Sequence, residues 1–364
     1  MAVNTDFLIV GQGLAGSLMA HELQQAGKSV YVVDQGHRNA ASAVAAGIIN
    51  PITGRYFVKS WLFDALRPVA VETYRSLEKL LGVSFFEERQ LVRVLLDARE
   101  ANAWQSKSST EGFLPHVMPP QWGEFDAAIQ PGVGLSQIQG AAQVYLPILI
   151  RAYRERLLEQ DSLLEEAFDY DQINWQADGV AYNDIKAKAI VFCEGQQGRL
   201  NPYFSQLPFA LTKGEVLHCH IPSIQSQRLL KHRLIMAPLP PSEGSHRYWL
   251  GANYDKKSID DTPTPEGFAW LEARLAQMLQ VPRSIVGHKA AIRPTTRDRR
   301  PLLGQHPQHP QLYLFNGLGT KGASLGPYFA RMMRRYLLEG IPLIPEVQFD
   351  RTFKADRKKG HQAS

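Results

Sequence analysis

The stretch from Asp6 to Asp34 constrains the fold of this chain more than any other part of the sequence. A short apolar run leads into three glycines spaced as GxGxxG, a helical pattern follows, and a second apolar run ends in an acid. This order of elements is typical of the βαβ unit that binds a dinucleotide. The alternative is a glycine-rich turn between a strand and a helix that holds no ligand.

Each part of the fingerprint has a physical role. Gly11 allows the tight turn, Gly13 has no Cβ and lets a pyrophosphate approach the backbone, and Gly16 lets the helix pack closely on the sheet. The helix N-terminus offers free N–H groups and a partial positive charge to the phosphates. Asp34 stands roughly twenty residues further on, where a carboxylate accepts the ribose hydroxyls.

Length and composition predict an ordinary globular protein with about two domains. The chain has 364 residues, 44% apolar and 21% charged, and no apolar run approaches the roughly 20 residues of a membrane span. The first predicted strand begins within about six residues, so we expect no signal peptide. The cysteines, Cys193 and Cys219, form no disulfide framework, so we expect a cytoplasmic, reducing location.

The net charge of +5 is concentrated at one end of the chain. Residues 351–364 hold five basic residues against one acid, so the remainder is close to neutral. A nucleic-acid interface over the whole fold is therefore poorly supported, and a solvated basic tail is favoured.

The chain alternates between two kinds of pattern. Helical spacing is predicted for 61–81, within 144–160 and from about 265 to 279, and a strand over 186–195 ends at Gly195. Antiparallel strand patterns fill most of the remainder. We expect an α/β fold, α+β overall, in which a discontinuous dinucleotide-binding domain (1–82, 139–210 and 293–350) accompanies a substrate domain (83–138 and 211–292).

Two further segments favour close approach of a ligand. The run from Ala41 to Arg55 is rich in small residues and includes Ser42, which can donate to a phosphate; the alternative is a surface loop. Gly317 to Gly322 precedes a helix for which Pro327 suits the first turn; the alternative is a flexible loop. His218 and His220 lie on a predicted strand without a further ligand, so no metal site is expected.

Several motifs together carry a family resemblance. These are GQGLAGS, ASAVAAG, TKGEVL, AIVFCEG, IRPTTRDRRPLLG and NGLGTKGASLGP. The chain resembles the D-amino-acid oxidase, glycine oxidase and sarcosine oxidase superfamily of FAD-dependent oxidoreductases over nearly its whole length. The last two motifs are most similar to the FAD oxidase domain of the bacterial bifunctional enzyme that matures 5-methylaminomethyl-uridine in tRNA, but no methyltransferase-like part is present.

The resemblance implies FAD rather than NAD, held in a Rossmann domain of the glutathione-reductase type beside a mixed, largely antiparallel substrate sheet. No cysteine occupies the position of covalent flavin attachment in sarcosine oxidase, so we expect noncovalent FAD. The implied cofactor-binding residues are Gly11, Gly13, Leu14, Ala15, Gly16, Asp34, Gln35, Ser42, Ala46, Gly47, Ile48, Phe168, Gly195, Gly317, Gly319, Thr320, Lys321 and Gly322.

The implied substrate contacts are Arg293 and Lys321. Arg293 matches the arginine that grips the substrate carboxylate in amino-acid-oxidising relatives, and a guanidinium suits bidentate pairing with a carboxylate. The alternative is a structural pair between Arg293 and Asp298. Lys321 stands where tRNA-type relatives have arginine, whereas glycine oxidase has its second arginine at the position of Thr320.

Two departures from the family concern the substrate side. The carboxylate-binding tyrosine of glycine oxidase corresponds to Ile235, and the oxygen-activating lysine of sarcosine oxidase falls near Trp249. Tyr248 or Tyr254 could compensate, although aromatic residues on strands more often belong to the core.

Three functions follow from this pattern. The first is oxidation of the C–N bond of a carboxylate-bearing amine or amino acid, by hydride transfer to flavin N5 and hydrolysis of the imine. The second is oxidation of a carboxymethylaminomethyl group on tRNA, and the third is an FAD-bound, non-catalytic binding module. No membrane partner is expected, and the sequence does not indicate an oligomeric state.

Overall fold

The computed structural model describes residues 3–36, 40–204 and 206–351. Its α-helices in these ranges are α1 (Leu14–Gln25), α2 (Ala41–Val44), α3 (Phe63–Leu81), α4 (Ala98–Ser108), α5 (Leu146–Glu159), α6 (Pro265–Ala276) and α7 (Gly322–Glu339). None of these helices combines the length and the apolar character that crossing a membrane requires.

The strands fall into two large sheets and one small hairpin. In chain order they are β1 (Val3–Val10), β2 (Val30–Val33), β3 (Ile48–Ile49), β4 (Ile52–Thr53), β5 (Val58–Lys59), β6 (Phe86–Leu95), β7 (Val117–Met118), β8 (Gly134–Val144), β9 (Leu163–Leu164), β10 (Ile173–Gln176), β11 (Gly179–Tyr182), β12 (Ile185–Phe192), β13 (Thr212–His220), β14 (Leu229–Lys231), β15 (Ile235–Pro238), β16 (Arg247–Gly251), β17 (Ser284–Arg293), β18 (Leu302–Gln305) and β19 (Leu312–Asn316).

The first sheet is built around parallel strands. Its order is β10-β11-β12-β1-β2-β9, and β19 joins β12 in parallel while carrying β18 on its other side. The run of apolar residues in β1 is buried on both faces, as expected for a parallel strand covered on both sides. Helices α1, α3, α5 and α7 cover one face in a single apolar core. The predicted α/β part of the fold is therefore present.

The second sheet is mixed and mostly antiparallel. Its order is β17-β13-β16-β15-β14-β6-β8-β3, with β7 beside β8, and only the β14–β6 pair in this path is parallel. Helix α6 packs against it over a second apolar core. Strand β8 spans the proposed boundary at residues 138 and 139, and β3 brings a segment from the N-terminal part of the chain into this sheet.

Helix α7 begins earlier than predicted. It starts at Gly322, so Pro327 lies inside the helix instead of in its first turn. Proline has no N–H, and its place in the helix leaves the carbonyl of Ala323 without the usual partner four residues later. The buried Tyr74 hydroxyl donates to this carbonyl at 2.8 Å. A side chain of α3 thus replaces the missing backbone hydrogen bond, which makes the interior proline tolerable.

The predicted basic tail lies almost entirely outside the described residues, since the description ends at Arg351. Arg351 itself forms a bidentate pair with Asp298, with nitrogen–oxygen distances of 2.8 and 2.9 Å. Asp298 is therefore engaged by Arg351 and not by Arg293, and the alternative structural pair between Arg293 and Asp298 is wrong.

Candidate active site

Three glycine turns meet at one edge of the first sheet. Strands β1, β12 and β19 are parallel neighbours, and their carboxyl ends lead into Gly11, Gly195 and Gly317. Ligands of open α/β sheets bind at this edge. The topology therefore places these three sequence-predicted positions side by side.

The first turn requires glycine for steric reasons. A Cβ at Gly11, whose φ is +98°, would lie 2.7 Å from the carbonyl oxygen of Cys193, and a Cβ at Gly16 would lie 1.8 Å from the carbonyl oxygen of Gly11. Gly13 differs, because a Cβ there would meet only the Ser42 hydroxyl, at 3.4 Å. Gly11 and Gly16 thus close the turn, whereas Gly13 faces an open cradle beside Ser42.

Two helix N-termini converge on this cradle. A Cβ at Gly322, the first residue of α7, would lie 3.2 Å from the Leu14 side chain, at the first residue of α1. Neither helix has a side-chain cap or an acid in its first turn. The free N–H groups and the positive dipole ends of both helices are therefore available to an anionic ligand. Ala15 lies on the buried side of α1, in the core.

Asp34 ends β2 in a tight set of hydrogen bonds. Its carboxylate accepts the backbone N–H groups of Gln12 at 2.8 Å and Gly36 at 2.7 Å, and it pairs with Arg154 at 2.8 Å. These contacts orient the carboxylate beside the first turn. The pattern did not predict Arg154, because it lies in an amphipathic helix where a charged residue usually faces solvent. Gln35 is exposed next to Asp34.

The segment that follows Ser42 joins both sheets. A Cβ at Gly47 would lie 1.9 Å from the carbonyl oxygen of Val144, so this glycine is required by the backbone of β8. Ile48 pairs with Gln143 in the second sheet, and the partly buried Ala46 packs against the buried cluster around Trp249. The small residues therefore fit a close contact with β8, whether or not a flat ligand lies along them.

Glu194, which the sequence analysis did not select, lies between Gly195 and the first turn. Its carboxylate accepts hydrogen bonds from the Tyr170 hydroxyl and from Asn201 at 2.8 Å. Burial raises the pKa of Glu194 to about 7, and these two hydrogen bonds only partly offset the effect. Phe168 stacks on Tyr182 nearby, with ring centroids 4.3 Å apart.

Lys321 precedes α7 and has no acidic partner among the described residues. Its ammonium group donates to the hydroxyls of Thr53 at 3.3 Å and Ser60 at 3.2 Å. Burial lowers the pKa of Lys321, and the charges of Arg299 and Arg300 lower it further. The electrostatic surroundings of Lys321 are therefore positive, which favours an anion.

The glycine-rich segment before α7 packs against the end of β17. The N–H of Gly319 donates to the carbonyl of Pro294 at 3.2 Å, and a Cβ at Gly317 would lie 3.0 Å from the Thr296 side chain. Thr320 is exposed in this segment. These contacts bring the segments that carry Arg293 and Lys321 together.

Arg293 ends β17 with part of its guanidinium unused. Its Nη1 donates to the carbonyls of Lys213 at 3.2 Å and Asn253 at 3.3 Å, and its Nη2 donates to Asn253 at 3.3 Å. In the part of the chain that the structure describes, Nε–H and one Nη2–H have no acceptor, and no acid forms an ion pair with the group. These two N–H groups form the fork that a carboxylate accepts bidentately. Burial lowers the pKa of Arg293.

Two neighbours hold the guanidinium in place. A Cβ at Gly214 would lie only 1.9 Å from Nη2, so the guanidinium occupies the space that a side chain at this position would fill. The ring of Tyr254 lies 4.4 Å from the guanidinium carbon. Gly214 belongs to the TKGEVL motif, but its purpose was not apparent, because the contact depends on pairing between β13 and β17.

Of the other aromatic residues that the sequence analysis compared with relatives, most belong to the buried core. Tyr248 is buried, and its hydroxyl donates to the carbonyl of Ile224 at 2.9 Å, as expected for a core tyrosine. The Trp249 indole donates to the carbonyl of Val44 at 2.9 Å. Tyr254 is 65% exposed and stacks on Arg293, so of the two tyrosines it is the one beside the candidate site. No group of three potential metal-ligating residues occurs within the described ranges.

The model of the FAD dependent oxidoreductase (DAO) family matches residues 6–336. The chain belongs to this family. It is 26% identical to a glycine oxidase of Pseudomonas aeruginosa, with 93% of this chain and 96% of the relative aligned. It is 24% identical to the tRNA 5-methylaminomethyl-2-thiouridine biosynthesis bifunctional protein of Legionella pneumophila, covering 93% of this chain but 55% of that protein.

A solved structure has the same fold. Glycine oxidase from Geobacillus kaustophilus superposes with a TM-score of 0.74 at 21% identity, covering 94% of this chain and 96% of that one. The chain is therefore an FAD-dependent oxidoreductase enzyme, and the expected family, fold class and cofactor are confirmed. The residues fit FAD: the open cradle at Gly13 and the uncapped N-terminus of α1 suit a dianionic pyrophosphate, and the uncapped N-terminus of α7 suits a second site of negative charge.

Proposed function

We propose that this oxidoreductase oxidises the C–N bond of a small amine or amino acid that carries a carboxylate. The observation that supports this most directly is the unused fork of Arg293, a partly desolvated cation without an acidic partner among the described residues. An unpaired guanidinium in this environment favours a carboxylate ligand. The glycine oxidase relative, which aligns over nearly the whole of both chains, fits the same substrate class.

Different residues of the chain would hold the different parts of the cofactor. The turn containing Gly11, Gly13 and Gly16 and the N-terminus of α1 would hold the pyrophosphate, and Asp34 the adenosine ribose. Lys321 and the N-terminus of α7 would stabilise negative charge on the pyrimidine end of the cofactor. When bound, FAD supplies the acceptor for the hydride that leaves the substrate carbon. The remaining members of the implied cofactor set would line its path.

Arg293 would fix the substrate in one orientation. A carboxylate bound to its Nε–H and Nη2–H cannot rotate freely, so the adjacent carbon is held at one position in the site. No acid or base is required from the protein when the amine binds in its neutral form. The imine product would then hydrolyse in water, releasing the amine and a carbonyl compound.

The test is anaerobic bleaching of the flavin by glycine, sarcosine, D-amino acids and proline. We expect at least one carboxylated amine to bleach the purified, FAD-loaded enzyme, and Arg293→Met to raise its KM by orders of magnitude without loss of FAD. Arg283→Met is a matched control, because Arg283 is also partly buried but pairs with Glu272 at 3.0 Å. An unchanged KM in Arg293→Met would contradict the proposal.

The alternative functions are separated by the same assay. Bleaching only by carboxymethylaminomethyl-modified tRNA would favour the tRNA function. The chain spans about half the length of the Legionella relative that is named for tRNA modification. FAD that no amine bleaches would favour the binding module.

A cytoplasmic location also belongs to the proposal. Cys193 and Cys219 are both buried and form no disulfide, which agrees with a reducing compartment.

A further inference from the structure

A cavity of about 540 Å³ lies beside the candidate substrate site. It is enclosed by the segment 50–55, strands β6 and β14, and the end of α6. A volume of this size is in the range that small-molecule sites occupy. None of the implied cofactor or substrate residues lines it.

The cavity wall is strongly basic. Among the described residues that line it, five carry a positive charge and one carries a negative charge: Arg55, Arg93, Lys231, Arg233 and Arg274 against Glu100. Glu100 is already engaged, because its carboxylate accepts from Arg93 at 3.1 Å and from the backbone N–H of Leu96 at 3.3 Å. Glu100 therefore offsets Arg93, and Asp97 lies 3.8 Å from Arg55, which leaves Lys231, Arg233 and Arg274 without an ion-pair partner among the described residues.

Lys231 is the most informative of these cations. Its ammonium group donates only to the carbonyl of Arg233, at 3.3 Å, among the hydrogen bonds found in the described structure. Burial and the charge of Arg93 together lower the pKa of Lys231 to about 8, although the charge of Glu100 opposes them. A partly buried ammonium group with a single weak acceptor gains free energy from an anion. Arg233 is exposed at the same wall, where it can meet an incoming anion.

Two residues of the cavity wall link it to the candidate site. Thr53 lines the cavity and accepts from Lys321 at 3.3 Å. Ile235 also lines it and pairs with Gly251, two residues before the Asn253 carbonyl that holds Arg293. With strands about 4.8 Å apart and about 3.3 Å per residue along them, the cavity wall lies on the order of 10 Å from the Arg293 fork.

We propose that this cavity binds a second anionic group of the substrate, a carboxylate or a phosphate, about 10 Å from the carboxylate held at Arg293. The inference rests on the proposed function and makes it more specific. The substrate would be an amine with an anion at each end and several methylenes between them. Ile235, at the position of the glycine oxidase tyrosine, lines the cavity and lies between Lys231 and Gly251 in the sheet, where an apolar side chain suits the methylenes.

The experiment compares substrates that differ only in the second charge. N-(ω-carboxyalkyl)glycines with one to six methylenes are set against N-alkylglycines of equal length, with flavin bleaching as the readout. We expect the longer dianions to have a KM roughly 10- to 100-fold lower than their neutral counterparts, the range that a charge-assisted hydrogen bond provides. A parallel ω-phosphonate series shows whether carboxylate or phosphate is preferred.

Variants of the wall identify the site. Lys231→Met should remove most of the advantage of the dianions, whereas Lys79→Met, on the exposed face of α3, should leave it unchanged. Arg233→Glu is a second test that avoids a folding defect, since Arg233 is exposed, and it should weaken the dianions in the same way. Equal KM values for charged and neutral members, or equal effects of Lys231→Met and Lys79→Met, would overturn the inference.

A binding measurement separates this inference from the proposed function. Titration calorimetry of the FAD-loaded enzyme with suberate and with octanoate needs no turnover. Tighter binding of suberate that is lost in Lys231→Met supports the cavity site even if no amine bleaches the flavin. Equal binding of the two acids counts against the cavity, while bleaching by simple amines would leave the proposed function intact.

Discussion

Gly214→Ala is the sharpest test of how the site is built. The added Cβ would lie 1.9 Å from Nη2, 2.2 Å from the guanidinium carbon and 2.5 Å from Nη1 of Arg293. Contacting heavy atoms settle at about 3.5–4.0 Å, so the guanidinium has to move by roughly 1.5–2 Å. That displacement breaks its hydrogen bonds to Lys213 and Asn253, which are already 3.2 and 3.3 Å long.

The expected effect is large and selective. A displacement of about 1 Å in a positioning group costs on the order of 10²-fold in rate, equivalent to about 2.7 kcal/mol. We therefore expect kcat/KM for a carboxylated amine to fall about 10²-fold in Gly214→Ala, with FAD retained. Its preference for sarcosine over sarcosine amide should shrink, because the amide does not depend on the Arg293 charge.

The assay is anaerobic stopped-flow bleaching of the flavin, with thermal unfolding to verify the fold. Gly112→Ala is the control, since a Cβ at Gly112 meets nothing within 4 Å. Gly214→Ala combined with Arg293→Met should be no slower than Arg293→Met alone, because both act through one guanidinium. Wild-type kcat/KM in Gly214→Ala, or additive losses in the double variant, would refute the reasoning.

Three further outcomes are expected. Arg293→Met should raise the KM for a carboxylated amine by orders of magnitude while the FAD absorbance of the purified protein stays unchanged. Tyr74→Phe should lower the free energy of unfolding in urea by about 1–3 kcal/mol, because it leaves the Ala323 carbonyl unpaired, and the loss should be smaller in a Pro327→Ala background, where a backbone N–H returns. Burial raises the pKa of Glu194 to about 7 in the folded protein. Its contribution to the free energy of unfolding is therefore fully present below about pH 4.5 and is lost as pH rises through 7. Glu194→Gln should remove this pH dependence, which amounts to about 1–3 kcal/mol. A pH profile identical in wild type and Glu194→Gln would contradict this assignment.

The sequence predicted the first βαβ unit well because its determinants are local. Gly11, Gly16 and Asp34 lie within one continuous stretch, and the two glycines make the close backbone contacts that their spacing implies. Helix α3 was also predicted, since its apolar spacing is strong and Gly82 ends it in a left-handed conformation.

Other elements were missed for identifiable reasons. Helix α4 buries none of its residues, so it lacks the apolar face that marks a helix in a sequence. The start of α7 was placed too late, because Pro327 favours a helix start and its compensation by Tyr74 comes from 253 positions earlier in the chain. Local pattern carries no information about such a distant partner.

The candidate site was predicted in part only. The sequence showed the charge of Arg293 and its match to a family position. Gly214 and Tyr254 are distant in sequence and become its neighbours only when the strands of the second sheet pair. The basic cavity is assembled from segments more than two hundred positions apart. Spacing within one segment could not indicate it.

The segment 41–60 contacts several parts of the site. Ser42 lies beside Gly13, and β3 joins the second sheet. The hydroxyls of Thr53 and Ser60 accept hydrogen bonds from Lys321, and residues 50–55 form a wall of the basic cavity. The same segment of backbone therefore contributes to the cofactor site and to the substrate pocket. We expect an ordered sequence of events in which FAD enters first and the flavin-free protein captures substrate-like anions poorly.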